Sequence, residues 1–441
     1  MARLFGTDGV RGVANRELTP ELAFAIGRAA ITALGGQGRP RLVIGRDTRI
    51  SGLMLESAIA AGACSAGGDV LRVGMVPTPA VAFMTSDLGA RVGAVVSASH
   101  NPSQDNGIKL FSGDGFKLPD EVEDEIERLV REGDGPRPEG GSVGRIIDAV
   151  EEPDRYLDHL EAAAEASLGG MRIVVDGANG AAFRLGPDAL RRLGAEVEAI
   201  NVDPDGTNIN DGCGATHPDV LAAAVVERGA DAGVAFDGDA DRAMFADAEG
   251  AVIDGDQVIV ACALAMQEGG QLAKDAVVVT VMANLGLRRA LQSAGISVLE
   301  TQVGDRYVLE EMRRVGAALG GEQSGHVIFL DDATTGDGLL TAVRFLTLAA
   351  RRGVSVAGLA SAMRRFPQVL ESVRVDDPAA VMASPALGDA IGAAESALGG
   401  RGRVLVRPSG TEPVIRVMVE AETEDEARAH AGAIAATVSQ T

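Results

Sequence analysis

The chain has 441 residues, enough for about two to four domains with substantial cores, and 46% of its residues are hydrophobic, as is usual for a soluble globular protein. Its formal net charge of −23 argues against a nucleic-acid partner and against binding to an anionic membrane surface, although a locally basic site can still take an anionic small molecule. The sequence has no apolar run as long as a membrane span, no apolar stretch typical of a signal peptide near residue 1, and three scattered cysteines without metal-ligand spacing, which together indicate the reducing cytoplasm.

Apolar runs alternate with helical patterns through the first 150 residues. Glycine and polar residues predict a loop over 5–12, in which Arg11 is a candidate anion contact. The elements predicted next are a helix over 18–34, a strand over 41–44, a helix over 53–66, a strand over 70–73, a helix over 78–84 and a strand over 92–96. Because strands alternate with helices, we expect a mostly parallel sheet covered on both faces.

The same alternation continues beyond a linker that is rich in glycine, proline and charge, over 131–142. The predicted elements are a helix over 152–166, a strand over 171–175, a strand over 197–201, a helix over 219–228, a strand over 232–236, a helix over 256–266 and a strand over 276–281. RLVIGRDTR, MRIVVDGANG and AVVVTVMANLG each lead from an apolar strand into a small or polar turn. This weak internal repetition is consistent with related α/β domains.

The pattern changes after residue 367. The elements predicted there are a strand over 369–375, a helix over 385–398, strands over 403–406 and 414–420, and a helix over 424–439. This order is typical of a small α+β domain.

A small, polar, turn-forming segment follows the predicted strand at 92–96. Ser97 and Ser99 are candidate nucleophiles there, with His100 beside them, because α/β proteins usually place ligands at strand ends. Lys109 follows ten residues after Ser99, in a chain that has only three lysines. A lysine kept at this place suggests a task for a compact, deprotonatable ammonium group. The alternative is an ordinary Ser/Asn/Pro turn.

Three aspartates stand at alternate positions after the predicted strand at 232–236. Asp237, Asp239 and Asp241 can converge on one hard cation, and carboxylate oxygens in a small cage suit Mg²⁺. A solvated acidic turn is one alternative. A haloacid-dehalogenase phosphatase motif is another, and it is disfavoured because Asp241 occupies the position where that motif has Thr or Val.

Two further loops carry polar groups suited to a phosphosugar. GEQSGH, over 321–326, offers Glu322 and Ser324 for adjacent sugar hydroxyls, together with His326, and its glycines let the backbone approach a ligand. RPSGTEP offers phosphate donors from the guanidinium, hydroxyl and backbone N–H groups of Arg407, Ser409, Gly410 and Thr411, and Arg416 on the next strand can add a second guanidinium. The alternative for each loop is a polar turn without a ligand.

These segments together resemble the α-D-phosphohexomutases. SASHNP followed by DNGIK is similar to the phosphoserine loop of that superfamily, in which the second serine, here Ser99, carries a phosphoryl group. DGDADR, GEQSGH and RPSGTEP resemble its metal, sugar and phosphate loops, so the resemblance covers nearly the whole chain. It implies three related α/β domains with mixed or parallel sheets and a smaller C-terminal α+β domain around a central cleft. The expected boundaries are 1–150, 151–250, 251–367 and 368–441.

FGTDGVRG, SASHNP, GEQSGH, GDRYV and TTGDG resemble the branch of the superfamily that acts on glucosamine phosphates. That resemblance implies interconversion of glucosamine 6-phosphate and glucosamine 1-phosphate through a phosphoserine and a bound 1,6-bisphosphate. The product would feed UDP-N-acetylglucosamine and cell-wall precursor synthesis. The implied cofactors are one Mg²⁺ ion, held by Asp237, Asp239, Asp241 and phosphorylated Ser99, and a hexose 1,6-bisphosphate as activator. The partner is a phosphosugar, and a homodimer is possible.

Within that reaction, Lys109 and Arg242 would neutralise charge near the transferred phosphoryl group. Lys109 is also the candidate for proton exchange with the sugar hydroxyl, because burial among cations would lower its pKa. His326 or His100 can serve instead.

Two alternatives to this function stay open at the sequence level. The nearer one is a phosphomannomutase/phosphoglucomutase. The other is a different class, either a Mg²⁺-dependent phosphosugar hydrolase or a non-catalytic phosphosugar-binding protein.

Overall fold

The computed structural model describes residues 3–6, 8–36, 38–133, 135–409 and 413–440. They divide into two units, one of residues 1–282 and 296–361 and the other of residues 283–295 and 362–441. Among the described residues, no helix is both long and apolar enough to cross a membrane.

The first 150 residues of the first unit build a six-stranded sheet with its helices. The elements are β1 (Val10–Val13), α1 (Pro20–Leu34), β2 (Arg41–Arg46), α2 (Gly52–Ser65), β3 (Asp69–Met75), α3 (Thr78–Asp87), β4 (Val92–Val96), β5 (Asp105–Ser112), α4 (Asp120–Glu132) and β6 (Ile146–Asp148). The strand order is β1-β5-β4-β2-β3-β6. Strand β2 is parallel to β3 and β4, whereas β5 is antiparallel to β4 and β1.

This mixed sheet corrects part of the sequence prediction. The loop predicted over 5–12 is wrong from Val10 onward, because Val10 to Val13 pair with β5. Strands β5 and β6 were not predicted, and neither was α4. The buried strand β4 was predicted, and the structure confirms it as the central strand that leads into the serine segment.

The next hundred residues build a five-stranded sheet in the order β11-β10-β9-β7-β8. Its elements are α5 (Pro153–Ala162), β7 (Arg172–Asp176), α6 (Leu185–Arg192), β8 (Glu196–Ile200), α7 (Pro218–Arg228), β9 (Ala232–Phe236), β10 (Ala243–Asp247) and β11 (Val252–Ile253). Strand β9 is buried throughout, and its predicted bounds are confirmed. It pairs antiparallel with β10, so the segment that joins them, residues 237–242, forms the turn of a hairpin.

Residues 254–361 build a four-stranded sheet in the order β13-β12-β14-β15. The elements are α8 (Gly255–Glu268), β12 (Ala276–Thr280), α9 (Leu285–Ser293), β13 (Ser297–Thr301), α10 (Asp305–Val315), β14 (Leu319–Gly321), β15 (Val327–Phe329), α11 (Gly338–Arg352) and α12 (Val356–Ala360). Helix α9 belongs to the second unit. Strands β14 and β15 form an antiparallel hairpin, whose turn carries most of GEQSGH.

The rest of the second unit has a three-stranded antiparallel sheet in the order β16-β18-β17. Its elements are β16 (Gln368–Arg374), α13 (Pro378–Met382), α14 (Pro385–Leu398), β17 (Arg403–Pro408), β18 (Val414–Glu420) and α15 (Glu424–Gln440). Ile415, Val417 and Val419 alternate along β18 and form its core with α14 and α15. The predicted α+β pattern is confirmed.

Candidate active site

The serine segment is a loop after β4 that two side chains hold in place. Ser99 is buried and has φ +50°, a conformation that is uncommon for residues other than glycine. The buried Arg49 guanidinium donates to the carbonyl oxygens of Ser99, Asn101 and Pro102 at 2.9, 2.9 and 2.8 Å. The Asn210 side chain donates to the same Ser99 oxygen at 2.9 Å. These bonds fix the direction in which the Ser99 side chain points.

The two candidate serines have different surroundings. Ser97 Oγ donates to Asp47 Oδ2 at 2.6 Å and accepts from the Ser99 backbone N–H at 3.0 Å. Ser99 Oγ instead donates to Asp237 Oδ2 at 2.6 Å. The Ser97 hydroxyl therefore stabilises the loop by linking Asp47 to the Ser99 backbone, and the Ser99 hydroxyl faces the aspartate turn.

We expect Arg49→Met to lower the free energy of unfolding by about 3–5 kcal/mol, because breaking a buried ion pair leaves an uncompensated charge. The charge left behind is the fully buried Asp47 carboxylate, to which Arg49 Nε donates at 2.9 Å. Urea unfolding followed by circular dichroism measures the change. The exposed Arg41 at the start of β2, the strand that precedes Arg49, supplies the matched control, Arg41→Met, which should change stability by no more than about 0.5 kcal/mol. Equal stability of the Arg49→Met and Arg41→Met proteins would contradict this role.

The three aspartates converge in the turn between β9 and β10. Asp237, Asp239 and Asp241 are buried, and each offers a carboxylate oxygen within 4.8 Å of the others. Burial and the two neighbouring carboxylates raise the pKa of Asp237 to about 8. Asp239 Oδ1 is buried and has no hydrogen-bond partner among the described residues. A divalent cation would offset the repulsion between the three carboxylates and would give Asp239 Oδ1 a partner. These residues therefore fit a hard metal ion such as Mg²⁺.

The approach of the aspartate turn to the serine loop depends on Gly238. A Cβ atom at this position would lie 2.4 Å from the Ser99 carbonyl oxygen. Because any larger residue would push the two loops apart, glycine is required where they meet.

Lys109 lies on β5 between carboxylates. Its Nζ is 2.9 Å from Asp239 Oδ2 and 3.0 Å from Asp8 Oδ2, and 3.7 Å from Asp241 Oδ2. Burial lowers the pKa of Lys109, but the three carboxylates outweigh it and hold that pKa well above its usual value. The expectation that burial among cations lowers this pKa is therefore wrong, because most of its neighbours are anions. Thr78 Oγ1 also donates to Asp239 Oδ2, at 2.7 Å.

Two arginines and a histidine lie close to Ser99 and the aspartates. Arg242 Nε is 3.7 Å from Asp241 Oδ1, and Arg11 forms an ion pair with Asp8 while its second terminal nitrogen is 3.4 Å from Asn101 Oδ1. His100 Nδ1 is 3.4 Å from Ser99 Oγ. Burial and the charges of Arg242 and Arg11 lower the pKa of His100, which favours the neutral form of its ring.

The GEQSGH turn places its three polar side chains in two groups. Ser324 Oγ is 3.4 Å from Glu322 Oε2, and Glu322 Oε1 accepts from the Gly304 N–H at 3.2 Å. His326 is buried and points to the aspartate turn, with Nδ1 3.7 Å from Asp241 Oδ1. Glu322 and Ser324 therefore lie side by side, and their role in binding a sugar stays a prediction, whereas His326 lies beside the aspartate turn.

The predicted phosphate loop belongs to the second unit. Arg407 on β17 is paired in register with Arg416 on β18, and burial and the Arg416 charge lower the pKa of Arg407. Arg407 Nε is buried and has no hydrogen-bond partner among the described residues. The Ser409 N–H donates to the Val414 carbonyl oxygen at 2.9 Å, which closes the start of the turn. Two adjacent guanidinium groups suit an anion. Gly410 and Thr411 lie outside the described residues.

The sequence matches all four domains of one described family. These are phosphoglucomutase/phosphomannomutase α/β/α domain I over residues 2–137, domain II over 154–250, domain III over 254–366 and the C-terminal domain over 370–437. A phosphoglucosamine mutase of Moorella thermoacetica is 58% identical, over 97% of this chain and 97% of its own length. One of Frankia alni is 56% identical, over 99% and 98%. The chain belongs to this family.

Solved structures of phosphohexomutases have the same fold. A phosphoglucomutase/phosphomannomutase family protein from Burkholderia thailandensis aligns with a TM-score of 0.82 and 26% identity, over 100% of this chain and 98% of its own. An Aspergillus fumigatus N-acetylphosphoglucosamine mutase, solved with GlcNAc-6P and magnesium, aligns with a TM-score of 0.67 and 19% identity, over 99% and 95%. The expected phosphohexomutase fold, with mixed α/β sheets and a smaller C-terminal domain, is confirmed.

Several residues of this phosphohexomutase site were not predicted from the sequence. They are Asp8, Arg49, Thr78, Lys117 and Asp305, which contact the predicted site residues or one another. Two signals were present. With only three lysines in the chain, the argument applied to Lys109 applies equally to Lys117, and Asp8 and Asp305 stand in FGTDGVRG and GDRYV, two stretches that resemble the family. Arg49 and Thr78 are common residue types that no chemical motif singles out.

Proposed function

We propose that the chain interconverts glucosamine 6-phosphate and glucosamine 1-phosphate, as a phosphoglucosamine mutase, for UDP-N-acetylglucosamine and cell-wall precursor synthesis. The observation that carries the proposal is the 2.6 Å hydrogen bond from Ser99 Oγ to Asp237, at a buried cluster of three carboxylates. The name shared by relatives that are 58% and 56% identical supports the choice of amino sugar.

The reaction we propose uses Ser99 as the phosphoryl carrier. Phosphoserine transfers its phosphoryl group to O1 of glucosamine 6-phosphate, which breaks the bond to Oγ and gives a bound 1,6-bisphosphate. The bisphosphate then turns over, the 6-phosphoryl group returns to Ser99 Oγ, and glucosamine 1-phosphate leaves. Asp237, Asp239 and Asp241, with one phosphoserine oxygen, would hold one Mg²⁺ ion, which supplies neutralisation of charge on the transferred group. A hexose 1,6-bisphosphate would supply the first phosphate to Ser99.

Positive side chains and one neutral imidazole complete the proposed chemistry. Lys109, Arg242 and Arg11 offset negative charge during transfer, because each lies beside the carboxylates or the serine loop. His100 Nδ1, the ring nitrogen 3.4 Å from Ser99 Oγ, takes the proton of the attacking O1 hydroxyl and passes it to the released Ser99 Oγ. In the second transfer the Ser99 Oγ proton goes through His100 to the released sugar O6. His326 is the less favourable acceptor, because its Nε2 already accepts the Gly336 N–H at 3.2 Å.

Substrate recognition is assigned to two loops. Glu322 and Ser324 bind adjacent sugar hydroxyls, and the C-terminal loop binds the phosphate that is not reacting. The donors of that loop are Arg407, Ser409, Gly410, Thr411 and Arg416. Since they recognise phosphate and neither face of the sugar, they accept the ligand in both orientations.

Arg416→Ala is expected to raise the KM for glucosamine 6-phosphate and for glucosamine 1-phosphate alike, by about 10- to 100-fold, the value of a charge-assisted hydrogen bond. It should also let the 1,6-bisphosphate escape into solution during turnover. Steady-state kinetics in both directions and chromatography of the products measure these effects. The control is Arg401→Ala, which removes an exposed arginine of the same unit. Loss of affinity for one monophosphate only, with no released bisphosphate, would mean that the loop is not the shared phosphate site.

The remaining expectations are part of the same proposal. Domain boundaries near residues 150, 250 and 367 are supported by family matches that end at 137, 250 and 366. Cytoplasmic location and a homodimer remain sequence-based expectations, and light scattering of the purified protein tests the dimer.

A coupled assay together with intact mass tests the function directly. We expect one phosphate on Ser99, at least in part of the protein, and faster turnover of glucosamine 6-phosphate than of glucose or mannose 6-phosphate. Faster turnover of glucose or mannose 6-phosphate would show a phosphoglucomutase/phosphomannomutase. Release of inorganic phosphate without a 1-phosphate would show a hydrolase, and binding without either product would show a non-catalytic protein.

A further inference from the structure

We propose that Lys117 is a positioning residue of this site, which holds Lys109 through Asp8 and sets the charge beside His326 through Asp305, in one closed ring of polar and charged side chains. The effect of the ring on catalysis rests on the function proposed above. The ring itself rests on geometry and can be tested without turnover.

The ring has six members, and each lies next to two others: Lys109, Asp8, Lys117, Asp305, His326 and Asp241. Asp239 lies outside the ring and contacts Lys109. Lys109 joins Asp239 to Asp8 at 2.9 and 3.0 Å, and Lys117 joins Asp8 to Asp305 at 2.8 and 2.5 Å. The ring then closes through three longer separations of 3.7 Å each, from Asp305 Oδ2 to His326 Nε2, from His326 Nδ1 to Asp241 Oδ1 and from Asp241 Oδ2 to Lys109 Nζ. Lys117 is thus the link between the two groups that face the metal-binding aspartates.

Backbone contacts set the position of the residues around Lys117. Lys117 pairs with Phe111 in an isolated antiparallel bridge, which places it beside β5, the strand that carries Lys109. Asp305 is the first residue of α10, and its Oδ1 accepts the Arg306 N–H at 2.7 Å, so its Oδ2 is directed to Lys117. Because the side chains are held at their bases, removing one charge changes the forces on its neighbours more than it changes the fold.

The charges predict what loss of Lys117 would do. Asp8 uses one oxygen for Lys117 and the other for Lys109. Without Lys117, Asp8 attracts Lys109 more strongly and draws it from Asp239. Asp305 loses its only ammonium partner among the described residues and is left facing His326. Because the side chains of Asp305 and Asp8 are only 18% and 24% exposed, an unpaired carboxylate at either place is unfavourable, and the side chains around it adjust.

The kinetic test compares Lys117→Met with a charge-balanced double variant. We expect Lys117→Met to lower kcat about 30-fold and to change KM less than about 3-fold, because the substrate contacts are untouched. Lys117→Met/Asp305→Asn removes the unpaired carboxylate beside His326 but leaves Asp8 free to draw Lys109 from Asp239, so we expect it to recover only part of the lost kcat, about 3- to 5-fold over the single variant. The control is Lys274→Met, since Lys274 is the one remaining lysine and is exposed. If kcat of folded Lys117→Met equals that of Lys274→Met, or if the double variant is as slow as the single one, the proposal is wrong.

A second measurement does not depend on activity. With only three lysines, protein labelled with ¹⁵N at lysine Nζ has at most three ammonium resonances. We expect the Lys109 resonance to shift in Lys117→Met and in the double variant, and to stay unchanged in Lys274→Met. An unchanged Lys109 resonance in both Lys117 variants would overturn the ring. A shifted resonance in a protein without mutase activity would instead refute the proposed function and leave the ring standing.

Discussion

Ser99→Ala is expected to lower mutase turnover by at least about 10³-fold, because it removes the atom that carries the phosphoryl group between the two ends of the sugar. Ser99 Oγ is the hydroxyl that reaches Asp237, at 2.6 Å, and the backbone around it is held by Arg49 and Asn210. A water molecule in the place of the hydroxyl would lead to hydrolysis and would not return the phosphoryl group to the sugar.

Ser97→Ala is the matched control, since the same atom is removed two residues away. It deletes the hydrogen bond to the buried Asp47 and the acceptor for the Ser99 N–H, so we expect turnover to fall by about 10-fold through loss of loop support. Intact mass should show a phosphate on the wild type and on Ser97→Ala, and none on Ser99→Ala. Near-normal turnover by Ser99→Ala would exclude the covalent mechanism.

Strands were predicted well where a buried apolar run ends at glycine or aspartate. Strand β9 is an example, since Asp231 and Asp237 flank it and its predicted bounds are those of the structure. Strand β18 was also predicted with its observed bounds, and Pro413 precedes it. Strands β1 and β5 were missed. Their sequences are rich in glycine and polar residues, and what makes them strands is antiparallel pairing with each other, as between Val10 and Ile108. Local pattern does not report a pairing between segments so far apart in sequence.

The candidate site also divides into features that the local sequence predicts and features that depend on contacts between distant segments. The aspartate turn was predicted because its three carboxylates stand at alternate positions within five residues of the sequence. The approach of Ser99 to Asp237 spans 138 residues, and it followed only from resemblance to a family. The predicted direction of the Lys109 pKa shift was wrong because it depends on groups that are far apart in the sequence. The carboxylates that surround Lys109 come from Asp8, Asp239 and Asp241, which only the fold brings together. The sequence therefore names the groups of the site more reliably than their electrostatic surroundings.

Asp239→Asn is expected to lower kcat by about 10²- to 10³-fold and to raise KM by less than about 5-fold, because the metal's main benefit is to charge that develops during transfer. Asp239 has two separate tasks. Its Oδ2 accepts from Thr78 at 2.7 Å and from Lys109 at 2.9 Å, and its buried Oδ1 has no hydrogen-bond partner among the described residues and is directed to the metal position in our proposal. Asparagine keeps the size and one oxygen but removes the charge that both Lys109 and a divalent cation need.

The measurement is kcat and KM as a function of Mg²⁺ concentration, with Asp211→Asn as the control because Asp211 is an exposed aspartate of the same unit. Asp239→Asn should need about 10-fold or more Mg²⁺ for half-maximal activity, whereas the control should follow the wild type. Chelation of divalent cations should abolish turnover in the wild type, and added Mg²⁺ should restore it. Full activity in chelator-treated wild type would rule out a metal at the aspartate turn. An Asp239→Asn protein with reduced kcat but unchanged Mg²⁺ dependence would instead place the effect on Lys109, whose ion pair with Asp239 is lost in the same variant.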